Sequence, residues 1–245
     1  MLTENNNYTQ GFEQQQYASQ TLAQTFMAKV FSWMFLALAI TAFTAYTFAN
    51  SEALLSLLVN PETGSMSILG YVVMFAPFGF VLFMGIKFHS MSKGTMMLMF
   101  LLFSVLMGAS LSFILLAYTS ASVFSTFIVT SGTFGLMAAV GYTTKTDLTK
   151  FGSILMMGLV GIILASIVNF FMHSGTMEYI ISILGVLIFT GLTAYDVQKL
   201  KNLGMATGKY QGMETEKLAI MGALTLYLDF INLFLFLLRF LGDRK

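Results

Sequence analysis

Seven apolar runs separated by short polar intervals set the pattern of this chain. They lie at about Val30–Ala49, Met66–Ile86, Met96–Tyr118, Val123–Tyr142, Gly152–Met172, Tyr179–Gln198 and Leu218–Leu241. Each is close to the ~20 residues that an α-helix needs to cross the hydrocarbon core of a bilayer. Lipid offers no partner for backbone N–H and C=O groups, so continuous apolar runs of this length predict helices. Barrel strands would alternate apolar and polar positions, and these runs do not. The expected fold class is an all-α integral membrane protein with seven transmembrane helices, the second kinked at Pro77.

Composition agrees. Of 245 residues, 57% are hydrophobic and 9% charged, against about 25% charged in a soluble domain. A formal net charge of +1 excludes a nucleic-acid binder, which needs a basic face. The absence of cysteine excludes disulfide and thiolate chemistry. His89 and His173 stand alone in interfacial loops and form no metal cluster. The first residues, Met1 to about Gln24, are rich in Asn and Gln and lack a basic leader. They read as a retained polar tail, disordered or lying on the surface, and not as a cleavable signal. Residues 1–28 are thus expected as a cytoplasmic tail and 29–245 as the transmembrane domain.

Orientation follows the lysines. Lys29, Lys87, Lys93, Lys145, Lys150, Lys199, Lys201, Lys209 and Lys217 all fall on one set of connections. The alternate loops, Asn50–Ser65, Thr119–Ser122 and His173–Glu178, hold no Lys or Arg. The N-terminus is therefore expected on the cytoplasmic side of the membrane. Arg239, Arg244 and Lys245 oppose the rule if the last segment crosses fully; a re-entrant last segment would remove the conflict, but seven full spans are favoured. Small residues at Gly108 and Ser112, and at Gly135 and Ala139, mark faces where helices can approach closely.

Two acids stand out. Asp229 lies in the middle of the last apolar run and Asp196 ends the run before it. A carboxylate at mid-membrane costs a few kcal/mol, and ~10 or more by some accounts, so it needs a partner or a purpose. Bland readings exist: Asp196 can pair with Lys199 one turn on, and Asp229 with an amide such as Asn232. If the two carboxyls meet, they cannot easily both ionise; they share a proton and titrate as a coupled unit. Both ionised, they offer hard oxygen ligands to Ca²⁺. Depth opposes the meeting, because Asp229 is ~17 Å into its run while Asp196 is near an end. The pair forms only if the sixth span continues past Gln198 or the seventh is offset.

Several stretches carry a resemblance. They are Lys29–Phe35 (KVFSWMF), Gly108–Phe113 (GASLSF), Gly141–Gly152 (GYTTKTDLTKFG), Gly191–Leu200 (GLTAYDVQKL) and Leu226–Phe236 (LYLDFINLFLF). On these the chain resembles the bacterial branch of the Bax inhibitor-1 (TMBIM, or lifeguard) family, over nearly its whole length after the tail. The resemblance implies seven helices with the apolar seventh central and surrounded by the other six. It places the family's di-aspartyl pH sensor on Asp196 and Asp229, and implies a pH-sensitive Ca²⁺ leak with no cofactor beyond the permeant or bound ion. A latch arginine of the family has no match, since the second span contains no Arg; Lys87, at its end, is the nearest cation.

Other seven-helix or two-aspartate classes fit less well. A retinal protein needs a lysine in the last span, and none lies between Leu218 and Leu238. An intramembrane aspartyl protease needs small residues before its second acid, where Leu226, Tyr227 and Leu228 stand, and a later proline-containing motif, while the chain's prolines are Pro61 and Pro77. A proton-coupled transporter would be expected to show internal repeats and broken helices, and neither is evident. A non-enzymatic partner of a membrane-bound AAA protease, engaged through the polar tail, remains the alternative to the channel. Its expected surroundings are otherwise the lipid bilayer, Ca²⁺ and protons.

Overall fold

The computed structural model describes residues 2–61, 63–207 and 212–245, with side chains from Tyr17 onward except Met213. Within them the chain forms α1 (Leu2–Asn50), α2 (Glu52–Leu58), α3 (Ile68–Lys87), α4 (Lys93–Ala117), α5 (Ser120–Thr143), α6 (Thr149–Met172), α7 (Gly175–Ala206) and α8 (Gly212–Leu241). Seven of these are long and apolar enough to cross a membrane, and the chain is an all-α integral membrane protein. Lys209, one of the orienting lysines, lies outside the described residues.

Hydroxyl side chains fix where several helices begin. Ser67, Ser92, Thr119 and Ser174 each accept a hydrogen bond from the backbone N–H three residues on, at 3.0–3.3 Å. Such N-caps satisfy donors that the first helical turn leaves open, and let short connections join long helices. α1 is helical from Leu2, so the polar segment read as a tail continues into the first span, and its Ala23, Phe26 and Met27 are buried. α2 was not anticipated. Seven residues are too few to register as a span, yet Leu58 at its end is buried against Val73 and Ala109. α3 runs unbroken through Pro77.

α8 is the axis of the bundle: 67% of its apolar 18-residue stretch is buried, against 6% of that of α6. Its immediate walls are α7, α1, α5 and α4. α3 and α6 stand further out, α3 mainly on α4 and α6 on α7, so the central helix is enclosed by four neighbours and not evenly by six. The core gathers Phe100, Phe103, Leu226, Tyr227 and Leu233 around α8. Tyr227 packs edge-on to Phe100 and Phe103. Its hydroxyl lies 2.8 Å from Thr41 Oγ1, which donates in turn to the Ser104 carbonyl at 2.9 Å. One buried polar group on each of α1, α4 and α8 is thereby satisfied without water.

Of the two small-residue faces, one packs. A Cβ on Gly108 would stand 2.6 Å from the Thr41 carbonyl and 2.7 Å from Thr44 Cβ, so α1 and α4 cross there. Gly135 and Ala139 are exposed, and nothing lies within 4 Å of a Gly135 Cβ. α5 instead turns Thr130, Phe134, Ala138 and Gly141 inward. We expect Gly108→Val to destabilise the bundle by about 1–3 kcal/mol, the usual cost of overpacking. Gly135→Val should leave the thermal midpoint in detergent unchanged. Equal midpoints for the two variants would contradict the assigned faces.

Candidate functional site: a buried aspartate pair

The depth conflict is resolved by the length of α7. The helix continues past Gln198 to Ala206, which places Asp196 ~15 Å from its end at 1.5 Å per residue. Polar residues in this extension hide it from an apolar-run reading, and each has a use. Gln198 donates to the Thr146 carbonyl and accepts from the Leu148 N–H, both at 2.8 Å. Lys201 donates to the Tyr142 carbonyl at 2.7 Å and lies over the Tyr142 ring. Together they pin the α5–α6 corner to α7. Gly141 presses on the Ala194 backbone and Gly152 on the Tyr195 ring, contacts that leave no room for a Cβ. The motifs at Gly141–Gly152 and Gly191–Leu200 are thus two halves of one packed unit.

That unit holds Asp196 in place. Asp196 is 9% exposed and Asp229 5% exposed, and the two carboxyls lie close enough to act on each other electrostatically. Asp229 Oδ2 is fully enclosed and has no hydrogen-bond partner among the described residues. Asn232 does not serve it; its amide donates to the Leu228 carbonyl at 2.8 Å. A carboxylate oxygen only accepts, so a bond between the two groups requires a proton on one of them. Both bland readings are therefore incomplete: Asp229 lacks a neutral donor, and Asp196 feels Lys199 while also facing Asp229.

Lys87 is exposed at the end of α3, the outlying helix on α4. The cation whose charge acts on Asp196 is Lys199, which also lies over the Tyr195 ring at 5.8 Å. His89 and His173 sit apart in connections. Among the described residues no three His, Cys, Asp or Glu side chains gather as a metal site. Two carboxyls alone fall short of the 6–8 oxygens of a resident Ca²⁺ site.

The ends of the bundle carry charge clusters that the sequence reading missed. At one end Glu216 on α8 pairs with Lys29 of α1 and, at 3.5 Å, with Lys93 of α4. Beside it Lys217 is buried, donating to the Met91 carbonyl at 3.1 Å beneath the Phe88 ring. At the opposite end Glu178 meets Arg244 at 2.8 Å and Arg239 at 3.7 Å. α8 is one unbroken helix between the two clusters, which removes the re-entrant alternative for the last segment. No motif announces these contacts, because each joins residues far apart in sequence.

The family described as "Inhibitor of apoptosis-promoting Bax1" matches residues 23–245. The chain belongs to the Bax inhibitor-1 family. Among its relatives, the inner membrane protein YbhL of Escherichia coli K12 is 46% identical over 222 residues, covering 91% of this chain and 93% of the relative. Proteins of Borreliella burgdorferi and Rickettsia prowazekii are 45% and 42% identical, each over about nine-tenths of both chains. Membership spans every helix that builds the aspartate pair, and the bundle's central seventh span is as the resemblance implied.

The Gln198 clamp gives a direct test. Gln198→Ala leaves the half-buried Leu148 N–H without its acceptor; a fully buried orphan donor costs about 1–3 kcal/mol, so the cost here falls at or below the low end. We expect faster hydrogen exchange at Leu148 and a lower thermal midpoint, with Gln198→Glu recovering the acceptor but not the donor. Unchanged exchange in the alanine variant would remove the clamp from the account.

Proposed function

We propose that this Bax inhibitor-1 family member is a pH-sensitive cation leak channel, with Ca²⁺ as the permeant ion and the Asp196–Asp229 pair as its gate. The observation that carries the reading is the unpartnered Asp229 oxygen beside a second carboxyl, enclosed in a bundle that lies in lipid. Such a pair has two chemical states. With a proton between them the carboxyls bond to each other; with both ionised they repel, and attract a cation. A switch between these states at the contact of α7 with α8 changes how the two helices pack.

Among the described residues no third acid joins the pair to make a metal site, which suits a place that a cation passes and does not occupy for long. By the lysine rule the N-terminus and the Lys29–Glu216–Lys93 end face the cytoplasm, and the Glu178 end faces outward. The inner-membrane description of YbhL supports the same location here. Catalysis is not part of this reading. Lys199, nearer in effect to Asp196 than Lys87, is the cation we assign to the gate.

Purified protein in liposomes loaded with a Ca²⁺ dye should pass Ca²⁺ at a rate that changes between pH 6 and 8. Asp229→Asn keeps the volume and removes the charge, so it should flatten that pH profile, and Asp196→Asn should do the same. Flux that keeps the parent's pH profile in both variants would end the gate assignment. No flux above empty liposomes would end the channel reading and favour a regulatory partner of a membrane-bound AAA protease.

A further inference from the structure

Gly242–Lys245 turns back on the bundle, and its last three residues, Asp243, Arg244 and Lys245, are tied to α4, α5, α7 and the α4–α5 connection. The Thr119 N–H donates to the Asp243 carbonyl at 3.1 Å, and the Lys245 N–H to the Ala117 carbonyl at 2.9 Å. Tyr118 and Arg244 are thereby bridged as an antiparallel pair. The Asp243 N–H donates to Ser122 Oγ at 3.0 Å and Lys245 Nζ to the Leu115 carbonyl at 3.0 Å. The Arg244 guanidinium reaches the Glu178 carboxylate at 2.8 Å and lies over the Tyr118 ring. Tyr118 is itself buried against Phe234 and Leu238 of α8.

Ser122, where the segment lands, is the outer member of a row on α5. Ser122, Thr126 and Thr130 recur every four residues and are 7%, 1% and 0% exposed. This places their hydroxyls on one inward helical face. The row leads to the depth of the acid pair: Phe230, next to Asp229, packs its ring against both Phe127 and Phe134, which bracket Thr130. A line of hydroxyl-bearing residues therefore runs from the level of Asp229 to the end of the bundle, and the segment covers its outer end.

We propose that Gly242–Lys245 is a strap that closes the outer end of this hydroxyl row, held shut by the Arg244–Glu178 ion pair. The strap rests on the channel reading, since closing a row matters only if ions use it. While it is seated, α8 is locked to α7 through Glu178 and to the α4–α5 corner through backbone bonds. Released, it frees Ser122 and the outer turn of α8 together. Lys29, Lys93, Glu216 and Lys217 are at the far end of the bundle and do not touch it.

The test uses the full chain, which has no native cysteine. Ala121→Cys and Asp243→Cys, both exposed, carry spin labels, and Ca²⁺ flux is read from liposomes in parallel. The parent should give one narrow label distance. Arg244→Ala should broaden the distance and raise flux several-fold, with the thermal midpoint showing that the fold survives, and Arg244→Lys should restore part of both. Flux in the Arg244 variant but not in the parent would also support the strap. A distance that stays narrow in Arg244→Ala, or broadens with unchanged flux, overturns the strap and leaves the channel reading standing. Absence of flux from parent and variant alike overturns both.

Discussion

A carboxyl group halfway along a membrane-spanning helix has to be enclosed by protein, and Asp229 imposes that requirement on the whole bundle. The cost of meeting lipid directly, several kcal/mol, drives α8 to the centre and calls for walls on every side. α1, α4, α5 and α7 supply them. Close walls in turn demand small residues at the crossings, which is why Gly108 meets α1 and Gly141 meets α7. Enclosure also removes water, so the carboxyl must find its partner within the protein. The partner it finds is another acid, on a helix kept in register by Gln198 and Lys201.

This arrangement explains the unusual economy of polar contacts. Tyr227, Thr41 and the Ser104 carbonyl satisfy one another in the core, and other buried hydroxyls, those of Ser104, Thr130 and Thr193, donate to the carbonyl four residues earlier. Only Asp229 Oδ2 is left without a donor among the buried side-chain atoms described. In a structure that settles its other buried polar groups, one orphaned carboxyl oxygen beside a second carboxyl is the exception that calls for a reason, and the proposed proton or cation switch rests on it.

The fold was largely legible because a span of some twenty apolar residues is a strong signal that tertiary contacts seldom override. The pairing of Asp196 with Asp229 was legible only as a condition. Lys199, Lys201 and Asn202 look like the end of a helix, yet Lys201 finds a carbonyl and a ring to cover and the helix goes on. The α5 face was misjudged by one residue, about 100° of helix rotation: Gly135 and Ala139 have the right spacing for packing, but the larger face of Phe134 and Ala138 was taken inward. The short α2 and the charge clusters at both ends left no periodic trace, since they depend on contacts between distant segments. The positive residues after Phe236, awkward for a full last span, are accommodated where Glu178 and the Leu115 carbonyl receive them.

The central claim is that the two aspartates behave as one unit. It is tested most directly by infrared titration of the carboxyl bands in the membrane-embedded protein, comparing the parent with Asp196→Asn and Asp229→Asn. The account predicts that replacing either acid shifts the titration of the one that remains. Two carboxyls that titrate the same with or without each other would contradict it.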